Sequence, residues 1–127
     1  MARTASEALL MKMAADVMIV LVALEHLLFL VLEMFLWTKP AGLKTFRMTP
    51  EKAKETAALA ANQGLYNGFL AAGLVLSLFV DHGFVLKIFF LSCVMVAGIF
   101  GAATVSRRIL LVQALPAAIA LVLVHLR

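Results

Sequence analysis

The stretch Leu24–Trp37, LEHLLFLVLEMFLW, decides how the whole chain is read. Its leucine, phenylalanine and valine are the composition of a helix that lives in lipid. Yet it carries Glu25, His26 and Glu33. An ionisable side chain at the centre of a membrane helix costs about 2.5–3.5 kcal/mol on insertion scales. Three in one span need either partners or a purpose.

The surroundings of this stretch support the membrane reading. Of 127 residues, 65% are hydrophobic, and the mean hydropathy is +1.07. The excess falls into four runs, at about residues 17–37, 57–80, 84–105 and 109–126, each close to the ~20 residues that cross a bilayer core. The expected fold is all-α: one domain over residues 1–127, an antiparallel four-helix bundle integral to the membrane, with helices one and two extending beyond the bilayer. Arg3 and Lys12 flank a weak apolar patch broken by Glu7 and Asp16, and no clear cleavage site follows, so the first run is expected to be retained. Thr4 and Glu7 have the capping-box spacing that starts a helix. Pro40 and Gly42 are expected to stop the first helix, and Thr49–Pro50 to start the second.

Charge sets the expected orientation. The net charge is +4, but the cations gather in loops between apolar runs, which argues for membrane topology and anionic lipid over nucleic acid. Lys39, Lys44, Arg47, Lys52 and Lys54 lie in the first loop, and Arg107 and Arg108 in the third. Arg3, Lys12, Lys87 and Arg127 fall on the other side. The positive-inside rule then places both termini outside, in a multi-pass membrane protein. The single cysteine, Cys93, sits in an apolar run and gives no vote on redox compartment.

On an ideal helix His26 and Glu33 share a face, while Glu25 points about 100° away from His26. The second run supplies ANQGLYNGFLAAG, with Gln63 and Asn67 on one stripe and Asn62 and Tyr66 on the next. Counting inward from the cytoplasmic ends, Glu33 comes level with Asn62 and Gln63, and His26 with Asn67. Gln113 on the fourth run lies about as deep as Glu33. Pro116 frees the carbonyl of Val112 one turn away and implies a kink. Ala97, Gly98, Gly101 and Ala102, and Gly64, Gly68, Ala71 and Ala72, are small-residue patches that let helices approach.

These residues leave several functions open. His26, Glu33, Asn62, Gln63 and Asn67, with Glu25, Tyr66 and Gln113, can form a site that binds or passes a small substrate, ion or proton. They can serve a membrane enzyme, with His26 and Glu33 as an acid–base pair on a lipid-soluble substrate of quinone or isoprenoid type. They can also be polar glue in a structural or assembly module. Tyr66 reads more simply as a core aromatic. No HxxxH or CxxC spacing supplies the three or four ligands of a metal site, and no pattern requires a cofactor. The expected partners are the lipid bilayer, a small lipid-soluble ligand and further copies of the chain.

LEHLLFLVLEMFLW, LAANQGLYNGFLAAG and VAGIFGAATVSRRILLVQALPA resemble the short bacterial membrane proteins grouped as domain-of-unknown-function family 1304. The resemblance covers nearly the whole chain. It implies four spans and no particular chemistry. The layout is also similar to small four-helix proteins of the DoxX type, some linked to quinone-dependent oxidation, on fold alone.

Overall fold

The computed structural model describes residues 3–126. Arg127, counted above among the outer cations, lies outside the described residues. Five α-helices follow in order: α1 (Ala5–Met34), α2 (Pro40–Phe46), α3 (Pro50–Leu76), α4 (Gly83–Thr104) and α5 (Leu115–Leu126). A π-helical turn, Leu110–Ala114, leads into α5. No strand occurs among the described residues. Residues 24–71 form one compact unit, and the chain before and after them forms a second.

Local chemistry explains the helix ends. The Thr4 backbone N–H donates to the Glu7 carboxylate at 2.7 Å, and the Glu7 N–H to the Thr4 hydroxyl at 3.2 Å, a reciprocal capping box. The Lys52 N–H donates to the Thr49 hydroxyl at 3.2 Å, with Pro50 at the first position of α3. α1 ends at Met34, earlier than Pro40 and Gly42 would end it, and Pro40 instead opens the short helix α2. Seven residues are too few to show a hydrophobic period, so the sequence pattern reads as loop here.

In the unit of residues 24–71, contacts run in opposite directions along α1 and α3. Trp37 meets Thr56, and Glu33 meets Gln63 and Asn67. The pair is therefore antiparallel. Its buried stripe on α3 is Ala60, Gly64, Asn67 and Ala71, spaced four, three and four residues apart. The C-terminal end of α1 is overlaid by α2, where a β-carbon on Gly42 would collide with the carbonyl oxygens of Leu36 and Trp37.

In the other unit α4 and α5 are likewise antiparallel. Gly98 faces Ala114, Gly101 faces Ile109, and the ring of Phe84 lies against His125. A β-carbon at Gly98 would stand 2.9 Å from that of Ala114, so these backbones touch almost directly. Pro116 cannot donate to the Val112 carbonyl. The chain accommodates this by widening, with the Leu115 N–H bonding back five residues to the Leu110 carbonyl. The core here includes Ile19, Val22, Leu74, Leu91, Val94 and Val124.

Two helices, α1 and α4, are long and apolar enough to cross a membrane. Only 33% and 28% of their apolar windows are buried, so most of their hydrophobic surface faces outward.

Candidate functional site

Glu33 is the penultimate residue of α1, on the helix face that also buries Ala15, Ile19, Val22 and His26. Only 4% of its surface is exposed. The Gln63 side-chain amide donates to one carboxylate oxygen at 3.2 Å, and the Asn67 amide to the other at 2.9 Å. Asn67 is itself only 8% exposed, whereas Gln63 opens to the surface of the unit. The carboxylate is thus held by two neutral donors, one per oxygen, the Gln63 donor coming from an exposed side chain.

Gly64 makes that contact geometrically feasible. A β-carbon there would lie 2.7 Å from Met34 Cγ and 3.1 Å from Glu33 Cβ. A side chain at 64 would therefore crowd Met34 and Glu33 at the point where the two helices meet. Gly68 faces the end of the Leu30 side chain. The small residues and the amides on α3 therefore form one device.

The other candidates distribute differently. His26 has no exposed surface and its ring meets Phe29 edge-on, with centroids 5.8 Å apart. The Asn67 amide, expected level with His26, goes to Glu33 instead. The cause is side-chain direction: β-carbons lean toward the N-terminus of their own helix, so in an antiparallel pair Glu33 and Asn67 lean toward each other. Asn62 is exposed and does not reach Glu33. Tyr66 is 58% exposed, with its ring against Phe69, so it is not a core aromatic. Glu25 is half-buried and makes no hydrogen bond or ion pair among the described residues. Gln113 lies half-buried in the π-helical turn of the other unit.

That other unit holds a second charged cluster that sequence reasoning missed. Lys87, on α4, is 4% exposed and its ammonium donates to Asp16 of α1 at 2.6 Å. The second Asp16 oxygen takes Lys12 at 3.1 Å. Two signals were available. Lys87 continues the buried stripe Leu91, Val94 and Gly98 at spacings of four, three and four. Asp16 also borders the outer end of its apolar run, and Lys87 lies only three residues inside the outer end of its own. Among the described residues, no three His, Cys, Asp or Glu side chains are grouped closely enough to hold a metal ion.

A model of the family described as "Protein of unknown function (DUF1304)" matches residues 20–125. That span includes Glu33, Gln63, Asn67 and Lys87 but not Asp16. YpaA, an uncharacterized protein of Lactococcus lactis subsp. lactis (strain IL1403), is 29% identical over 106 residues, covering 80% of this chain and 88% of that protein. No solved structure matches the chain.

Proposed function

This chain belongs to the DUF1304 family, whose description names no activity, and we propose from its own residues that it is a four-span protein of the bacterial inner membrane, both termini outside, in which Glu33 exchanges a proton or small cation. The outward apolar surface of α1 and α4 supports the membrane placement, and the loop charges support the orientation.

The single observation behind the site is the Glu33 carboxyl held by Gln63 and Asn67 without a cationic partner of its own in that trio. A buried carboxylate is costly, and two amides offset that cost only in part. Structural glue needs no charge, since amide pairs alone would join the helices. Neutral donors do have one property a lysine partner lacks. They keep their hold on a carboxyl oxygen whether the group is ionised or protonated. The frame around Glu33 therefore survives a proton cycle, and Gln63 marks the edge by which an ion or small substrate enters.

The enzyme alternative rests on His26, fully buried on the same face of α1 and suited to acid–base work on a lipid-soluble substrate. Labelling with an apolar carbodiimide, which attacks protonated carboxyls from the lipid side, tests the exchange site. Adduct at Glu33, read by peptide mass spectrometry and slowed by added small cations, is the expected result. Adduct at Glu25 with none at Glu33 would overturn it.

A further inference from the structure

The corner between α1 and α3 concentrates positive charge that its acidic residues only partly offset. Lys39, Lys44, Arg47, Lys52 and Lys54 are all exposed. Among the described residues none of the five makes an ion pair. Residues 38–56 contain only Glu51 and Glu55 of opposite sign, so five cations less two anions leave +3.

α2 arranges these charges over an aromatic base. Leu43 and Phe46 are half-buried, and the Phe46 ring lies 4.7 Å from that of Trp37. The Trp37 indole N–H donates to the Thr56 hydroxyl at 3.0 Å, which ties the base to α3. Lys39, Lys44 and Arg47 are left on the outer side. Arg47 has φ 53 and ψ 49, the left-handed conformation, and its N–H closes the helix onto the Leu43 carbonyl. Glycine is the usual residue at such a helix end, because a side chain there is strained. Here that position carries a cation.

The geometry points to a docking surface for anionic phospholipid headgroups at this corner. An anionic partner follows from five exposed cations outside any ion pair and from the net charge of +3 on this segment. A lipid source follows from position, since the corner directly continues the apolar end of α1 and includes an amphipathic aromatic of the kind that sits at headgroup level. This inference rests on the membrane placement proposed above, and goes beyond it by naming the lipid class and the residues that select it.

Trp37 is the only tryptophan, so its fluorescence reports on this corner alone. The purified protein is reconstituted in bilayers that are mostly zwitterionic lipid with a minor share of anionic lipid, and bromine is placed on the acyl chains of one class at a time. Bromine quenches a nearby indole. Anionic bromolipid is expected to quench several-fold more than its mole fraction allows. About fivefold per engaged cation corresponds to the ~1 kcal/mol of a lysine or arginine at an anionic surface. The excess should vanish when Lys39, Lys44 and Arg47 are all changed to Gln, and shrink in high salt.

Arg47→Gly serves as a second variant that relieves backbone strain and so keeps the fold. It should reduce the anionic excess with no loss of thermal stability. If zwitterionic bromolipid quenches Trp37 in proportion to its share and anionic bromolipid shows no excess, the membrane placement stands and the headgroup surface is wrong. An excess unmoved by both salt and Arg47→Gly also overturns it. Quenching by neither lipid overturns the membrane placement itself.

Discussion

Replacing Glu33 with glutamine removes a charge while keeping shape and hydrogen-bonding capacity. The new side chain has one carbonyl oxygen and one NH2 group. The first accepts from Gln63 or Asn67, and the second is satisfied when the other amide turns its own oxygen inward. Two charge-assisted bonds thus become neutral ones. Bonds to charged groups contribute about 1.5–3 kcal/mol and neutral ones about 0.5–1.5, so the loss over two bonds is roughly 2–3 kcal/mol in total. Polar contacts between membrane helices average nearer 0.6 kcal/mol, which places the loss at the lower end. Against this, the effective penalty for a buried ion is several kcal/mol. Glu33→Gln is therefore expected to unfold at the same temperature as the parent in detergent, or higher. Glu33→Ala is the contrasting case. It leaves the buried Asn67 amide, 8% exposed, without its acceptor, at about 1–3 kcal/mol plus the cost of a cavity. Thermal unfolding of the three proteins side by side decides the matter. If glutamine is as damaging as alanine, the carboxylate is structural and the exchange site is refuted.

The Asp16–Lys87 pair should respond asymmetrically. Asp16→Ala strands the buried Lys87 ammonium and is expected to cost about 3–5 kcal/mol of unfolding free energy, whereas Lys87→Met leaves Asp16 with Lys12 and part-solvated, and should cost clearly less; equal losses would contradict the assigned burial. The Thr4 backbone N–H, then the Thr4 hydroxyl, hold the Glu7 carboxyl below its usual range against slight desolvation, with Arg3 adding to the effect. A depressed folded value stabilises the first turn above the unfolded glutamate range and loses that contribution as the pH falls through the folded value. NMR titration should therefore show the Thr4 and Glu7 amides shifting together at acid pH, and a Glu7 midpoint at or above the unfolded value would be wrong for a capping box. A cysteine placed at Lys44 should resist a membrane-impermeant thiol reagent in intact cells, and ready labelling would invert the orientation.

Much of the site was legible because helical geometry is periodic. Seven-residue spacing put His26 and Glu33 on one face of α1, and counting residues inward brought Gln63 level with Glu33. The choice between the two amide-bearing stripes of α3 was harder, since each carries polar residues. Ala60, Gly64 and Ala71 distinguish them, because small residues mark the side that meets a neighbouring helix. Asn62 and Tyr66 lie off that side. Register by depth alone misplaced Asn67, because it ignores the N-terminal lean of side chains. The charge count uses Lys87 only as a cation on the outer side of the membrane, whereas its spacing from Leu91 and Val94 puts it on the buried stripe of α4. The π-helical turn before Pro116 illustrates a different limit. A proline announces that the backbone must yield, but the residues around Pro116 do not announce whether it kinks or, as here, widens into a π-helical turn.

Infrared difference spectroscopy across a pH series, comparing the reconstituted protein with Glu33→Gln, reads the Glu33 carboxyl itself. A protonated-carboxyl band that appears and disappears with pH in the parent, and is missing from the variant, is the expected result for an exchange site. A spectrum in which no pH-responsive carboxyl band differs between the two proteins would contradict it.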